Sequence, residues 1–126
     1  MKKKLIEKFI SVEKEIAEDK GPFVLFGLFE PEDHPNMWDV VVSSDWIDED
    51  RKKTLEYIIG EMNSKLTREE LLTLSKVAVL YPTNEFVRDV TDETDEIEHG
   101  NERLVNCVFR GIPMENAHII TSKKTA

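Results

Sequence analysis

Cysteine, glycine, proline and long apolar runs are all scarce in this sequence, and each scarcity excludes a class of protein. Cys107 is the only cysteine among 126 residues, so the chain has neither an internal disulfide bond nor a cysteine-based metal cluster. Five glycines and five prolines exclude a collagen-like or low-complexity chain. The longest apolar run, residues 23–29, is far shorter than the about 20 residues that a membrane-spanning helix needs.

Basic residues are missing from one long stretch of the chain. The formal net charge is −9, from 26 acidic and 17 basic residues. Residues 21–50, here called the first acidic segment, contain eight acids and no base; residues 83–103, the second acidic segment, contain eight acids and two bases. Nucleic acids and anionic membranes are bound by clustered Lys and Arg, so we expect neither as a partner.

The N-terminal residues do not form a secretory signal. Three lysines follow Met1, but charged residues continue through the next turns and no apolar core of a signal peptide follows. With no such signal and no spanning segment, we expect a cytoplasmic protein. A length of 126 residues is typical of one domain, so residues 1–126 are interpreted as a single domain in which 122–126 form a frayed tail.

Four segments carry helix signals. Residues 2–19 place apolar side chains at helical spacing, and Gly21 followed by Pro22 ends that pattern. A second helix is predicted up to Leu66, with Ser44 or Asp48 as its cap. Thr67 and the glutamate three residues later have the form of a capping box for a short third helix, and a weak fourth helix follows Thr83.

Five segments carry strand signals, and together with the helices they predict an α+β fold. Residues 23–29 are apolar throughout, which indicates a central strand covered on both faces. The other strands are predicted at 38–43, 77–81, 104–109 and 117–121. The resulting order, α-β-β-α-α-β-(α)-β-β, predicts a mixed or mostly antiparallel sheet of about five strands backed by helices.

Four carboxylates and one imidazole lie within ten residues after the first strand. Carboxylate oxygens with one imidazole suit a divalent metal ion, and two prolines would stiffen the loop that carries them. The spacing matches no metal-binding motif, so a polar hairpin loop is the alternative interpretation. The candidate metal ligands are Glu30, Glu32, Asp33, His34 and Asp39.

Two tryptophans with acidic neighbours are candidate binding residues. Trp38 precedes an acid at the start of the second strand, and Trp46 follows Asp45 before the second helix. Tryptophan is enriched at interaction surfaces, although packing at the edge of the core is the alternative for both. Trp38, Trp46 and Asp45 are therefore the predicted binding residues.

No complete catalytic constellation is visible, and the sequence assigns no catalytic residue. Cys107 lies within a predicted strand, where cysteine usually packs as a small apolar side chain. His34 and His99 lie beside acids and are candidates for pH-sensitive groups, whereas His118 is expected to point away from the face of its apolar neighbours.

Three functions remain open at this point. The favoured one is a non-catalytic binding, regulatory or protein-interaction domain that binds a protein partner or a second copy of itself, with no cofactor. The second is a metal-dependent enzyme that holds a divalent ion in loop 30–39. The third is a domain that binds a small ligand between sheet and helices, with Trp46 in the pocket. The sequence alone does not decide whether the protein is an enzyme.

Overall fold

The computed structural model describes residues 1–47 and 49–124. Within these ranges the chain forms four helices and five strands, and the strands join into one mixed sheet. The elements are α1 (Lys3–Lys20), β1 (Phe23–Pro31), β2 (Trp38–Ser44), α2 (Arg51–Lys65), α3 (Arg68–Leu71), β3 (Leu74–Leu80), α4 (Glu85–Glu93), β4 (Glu102–Phe109) and β5 (Ile112–Ser122). The order of elements and the α+β class predicted from the sequence are confirmed.

The strand order across the sheet is β3-β2-β1-β5-β4. The central strand β1 pairs antiparallel with β2 on one side and with β5 on the other, and β4 pairs antiparallel with β5. β3 is parallel to β2, because α2 and α3 carry the chain back along the sheet before β3 begins. The last two strands therefore complete the same sheet that the first hairpin begins.

Two helices cover one face of the sheet, here called the first face. The period-2 alternation of β2 directs Trp38, Val40 and Val42 to this face. They pack with the apolar stripes of α1 and α2, from which Phe9, Ile16, Ile58 and Met62 are fully or almost fully buried.

The short helix α4 packs on the opposite face, here called the second face. Its buried residues Val87 and Val90 contact side chains from the three neighbouring strands β1, β5 and β4, including Phe29, Ile119 and Phe109. Because β1 is covered on both faces, all nine of its residues are buried, as expected for an apolar central strand.

Glycine is required at one position within β1. A Cβ atom added to Gly27 would lie 2.7 Å from Cε2 of Phe29, inside van der Waals contact. The ring of Phe29 thus occupies the space beside the Gly27 backbone, which is the close approach that a glycine inside a strand indicates.

The caps of the helices agree with the sequence in one case and differ in another. Thr67 and Glu70 form the predicted capping box at α3, in which each side chain accepts a hydrogen bond from the other residue's backbone N–H. At α2 the cap is Asp50, whose carboxylate accepts from the Lys52 N–H at 3.1 Å. Ser44 instead donates to the Pro22 carbonyl, and Asp48, the other predicted cap, lies outside the described residues.

The end of the described chain is tied to the sheet. Ser122 belongs to β5, and the backbone N–H of Lys123 donates to the Val24 carbonyl. The last two residues of the predicted frayed tail, 125–126, lie outside the described residues. Within residues 1–47 and 49–124, none of the helices combines the length and apolar composition that a membrane span requires.

Candidate functional site

A groove of about 480 Å³ lies on the second face, beside α4. Its floor comes from β1, β2 and β3, and its walls come from the β1–β2 loop, the start of α4 and the first residues of β5. The apolar side chains in it are Phe29, Val41, Ala78, Leu80, Phe86, Ile112 and Met114, together with Pro31. This volume and apolar lining are typical of small-molecule sites, which occupy about 300–1,000 Å³.

Four polar side chains with acid–base chemistry line the same groove: Asp33, His34, Asp39 and Lys76. Three of them come from the first acidic segment, and the second acidic segment contributes the wall residues Asn84 and Phe86. The groove is therefore a concave surface at which the two acidic segments of the sequence meet.

The register of the sheet explains how Asp39 reaches the groove. Trp38 and Val40 face the helices on the first face, so the alternation of β2 directs Asp39 to the second face. In the parallel pairing of β2 with β3, Asp39 lies opposite Lys76. Lys76 Nζ is 3.9 Å from Asp39 Oδ2, which is an ion pair without a short hydrogen bond.

The carboxyl group of Asp39 is largely withdrawn from water, since only 14% of its side chain is exposed. This burial raises the pKa of Asp39 above its ordinary value of 3.8, and the nearby Asp33 acts in the same direction. Lys76, and to a smaller extent His34, lower the pKa of Asp39 without cancelling the effect of burial. Asp39 is thus a carboxylate in a mostly apolar groove, and the nearby ammonium group that compensates its charge belongs to the exposed side chain of Lys76.

Glu30 lies on the other side of the sheet from Asp39. Its carboxylate accepts hydrogen bonds from the Asn36 backbone N–H and from Asn116 Nδ2, both at 2.7 Å. Asn36 has a left-handed φ of 66°, so Glu30 holds the β1–β2 loop in a turn that needs such support. The role of Glu30 that follows from these contacts is to fix the loop.

The five candidate metal ligands are therefore divided. Asp33, His34 and Asp39 line the groove, Glu30 is buried on the first face, and Glu32 is exposed on the loop. Across residues 1–47 and 49–124, no three side chains of His, Cys, Asp or Glu come together in an arrangement that could hold a metal ion.

The predicted binding residues Trp38 and Trp46 make packing contacts, and each lines a pocket separate from the groove, so their role in binding stays a prediction. Trp38 is buried and its ring lies 5.4 Å from that of His118. The indole N–H of Trp46 donates to the Gly21 carbonyl at 2.8 Å, and its ring packs edge-on against Phe23. Asp45 is exposed in the turn before Trp46 and does not line the groove.

Sequence reasoning missed a buried polar cluster between α1 and β5. The carboxylate of Glu13 is fully buried, lies 2.5 Å from His99 Nδ1 and accepts from Thr121 Oγ1 at 2.8 Å. His99 also has a left-handed φ of 54°, so this contact anchors the turn that precedes β4. A signal was present, since Glu13 follows Phe9 by four residues on the apolar stripe of α1.

The pKa values of His118 and Cys107 are also shifted, and in both cases burial is the largest cause. Burial, the N-terminal ammonium group and Arg103 lower the pKa of His118 from 6.5 to about 4, so the imidazole is neutral at pH 7. Burial raises the pKa of the Cys107 thiol, which makes it a poor nucleophile near neutral pH. As predicted, His118 faces away from Ala117 and Ile119: it contacts Trp38 on the first face.

Comparison with protein-family models, with curated proteins and with solved structures finds no match for this chain. The interpretation of the groove therefore depends on its own geometry and chemistry.

Proposed function

We propose that this protein is a non-catalytic binding domain and that its ligand is a small molecule held in the groove on the second face. The observation that carries the proposal is the combination of an apolar floor with one largely buried carboxylate, Asp39, in a groove of about 480 Å³. Such a site holds the apolar body of a ligand by excluding water and orients it through few polar contacts.

The groove supports ligand binding better than the metal-dependent alternative. A hydrolytic or Lewis-acid metal needs several convergent ligands, whereas Glu30 points to the first face and is occupied by two hydrogen bonds. From the sequence, a pocket for a small ligand was considered beside Trp46. The ligand site proposed here is a different one, because Trp46 does not line the groove.

The test uses a substitution that fills the groove with a side chain and measures whether an apolar probe molecule still binds there. Ala78 lies on the floor, and Ala78→Phe places a ring where the ligand would lie. Ser75 is exposed on the same strand and outside the groove, so Ser75→Phe adds the same ring without filling the site. The probe is 2-phenylethanol, followed by amide chemical shifts in two-dimensional NMR.

We expect the probe to shift amide signals around the groove in the wild type and in Ser75→Phe, and not in Ala78→Phe. Thermal melting of each variant checks that it is folded. Shifts that scatter over the surface, or that persist unchanged in folded Ala78→Phe, would contradict the proposed site.

Association with a second copy of the chain is a second proposal, supported by a different surface. Val105 and Val108 on the edge strand β4 are 57% and 53% exposed. β4 ends the described sheet, so its outer edge can pair with β4 of a second copy in an isologous contact, with Glu102 and Arg103 as charges of both signs near that contact. Light scattering tests it: a mass above 14.6 kDa that falls with added salt supports the proposal, and a monomer mass at all salt concentrations contradicts it.

A further inference from the structure

We propose that the groove binds small organic ammonium ions with an apolar body, and that the carboxylate of Asp39 receives the ammonium group. The inference rests on the proposed ligand site and adds the chemical class of the ligand. It follows from the hydrogen-bonding state of Asp39, from the weak attachment of Lys76 and from the shape of the apolar floor.

Asp39 has hydrogen-bonding capacity that the described protein does not use. Its side chain is 86% withdrawn from solvent, yet its carboxylate accepts no hydrogen bond from any donor within residues 1–47 and 49–124. Glu30 and Glu13, the other buried carboxylates described above, each accept or share two hydrogen bonds. The Asp39 oxygens are not among the fully buried atoms without a partner, so their open positions face the groove, where water or a ligand donor can occupy them.

Lys76 compensates the charge of Asp39 without occupying its oxygens. Its ammonium group stays 3.9 Å from Asp39 Oδ2, beyond hydrogen-bond distance, and 66% of the side chain is exposed. An exposed ion pair of this kind contributes little, and a lysine side chain can turn into solvent at low cost. A ligand ammonium group is therefore able to take the position on Asp39 that Lys76 approaches.

The remaining groups of the groove favour a cation with an apolar body over an anion. Two carboxylates, Asp33 and Asp39, line the groove against one ammonium group, that of Lys76, so a ligand carboxylate would meet a net negative charge from these three side chains. The rings of Phe29 and Phe86, 5.3 Å apart, form an apolar wall suited to an aromatic or branched aliphatic body.

The experiment compares three probes that share a phenyl body and differ in the head group: 2-phenylethylamine, 2-phenylethanol and 3-phenylpropionate. Dissociation constants are measured by NMR titration on the full chain at pH 7. Asp39→Asn removes the charge with little change in shape. Asp45→Asn makes the same substitution at an exposed aspartate outside the groove and serves as the matched control.

We expect the amine to bind at least about tenfold more tightly than the alcohol, because it forms a charge-assisted hydrogen bond with a carboxylate of which only 14% of the side chain is exposed. Asp39→Asn should remove this preference and leave the alcohol bound, whereas Asp45→Asn should retain it. Lys76→Met removes the competing ammonium group and should tighten amine binding further.

A second measurement follows the pH dependence of binding in the wild type, and the dispersion of the amide signals at each pH shows whether the protein is still folded. As the pH falls through the pKa of Asp39, which burial raises above 3.8, the carboxylate is protonated and the preference for the amine over the alcohol should disappear. Asp33, His34 and Lys76 line the groove as well and are titratable, so the series is repeated in His34→Asn and in Asp33→Asn, and the loss of preference should persist in both.

The outcomes separate this inference from the proposed site. If the alcohol binds in the groove and the amine binds no more tightly, or if the propionate binds most tightly, the ammonium inference is wrong and the ligand site stands. If none of the three probes shifts the groove signals at its solubility limit, both the inference and the proposed site are wrong.

Discussion

The buried imidazole of His118 makes the folded state sensitive to acid in a way that can be measured. The pKa of His118 is about 4 in the folded protein and about 6.5 in an unfolded chain. Between these values the unfolded chain binds a proton that the folded protein does not, so acid favours unfolding. The stabilisation from a neutral His118 is complete above pH 6.5 and is lost as the pH falls toward 4.

The size of the effect follows from the difference in pKa. Integrated from pH 7 to pH 4, the linkage relation gives a loss of about 3 kcal/mol in the free energy of unfolding from this one group. For a domain with a typical stability of about 5–15 kcal/mol this is a large share. Its causes are the burial of the ring and two nearby cations, the N-terminal ammonium group and Arg103.

The assay is urea unfolding of the wild type and His118→Asn at several pH values between 7 and 4. Asparagine does not titrate, and its amide can replace the contact that His118 Nδ1 makes with Asn101 Oδ1 at 3.0 Å. The stability advantage of the wild type over the variant should shrink by about 3 kcal/mol across this range. His34→Asn, the same substitution on an exposed loop, is the control.

An NMR titration of the His118 ring gives an independent measurement, with an expected midpoint near 4. If the unfolding free energies of the wild type and His118→Asn stay parallel from pH 7 to 4, or if the ring titrates near 6.5, the explanation from burial and neighbouring cations is refuted.

Two further predictions concern buried positions. His99→Ala removes a partner from the fully buried Glu13 carboxylate. The free energy of unfolding, measured in urea, should fall by about 3 kcal/mol. A loss below about 1 kcal/mol would show that the fold does not depend on this pair. Gly27→Ala should destabilise the protein by about 1–3 kcal/mol, because the added Cβ meets the Phe29 ring. Gly60→Ala in α2 should stabilise it by about 1 kcal/mol, because the added Cβ meets no atom within 4 Å and alanine favours a helix. Equal melting temperatures for the two alanine variants would contradict this reasoning.

Much of the fold could be predicted because its signals are local. The helical spacing of α1, the stop at Gly21 and the capping box at Thr67 each act over a few residues, and all three appear in the structure. The order of strands could not be predicted, because it depends on contacts such as Phe29 with Ala117 that are distant in the sequence. No local pattern specifies which strand edge β5 pairs with.

The candidate site was only partly predictable for a related reason. The alternation of a strand is a local pattern, and in β2 it places Asp39 on the face opposite Trp38. Glu30 was expected in a loop together with Asp33, but β1 continues to Pro31, so the pleat directs Glu30 to the first face. Two acids three residues apart are thereby separated by the sheet. Lys76, which compensates Asp39, is 37 positions away and became visible only through the parallel register.

The position of β5 has a consequence for how the chain folds. β5 follows every other element in the chain, yet it pairs along most of β1, the first strand in the sequence. Until β5 is available, β1 presents an unpaired, strongly apolar edge, which is the kind of surface through which chains associate wrongly. The fold therefore depends on the pairing of β5 with β1, which are far apart in the sequence. Such pairing is slow, because the long stretch of chain between the two strands must first be ordered. Productive folding will be favoured at low protein concentration, where β5 of the same chain reaches β1 before another chain does.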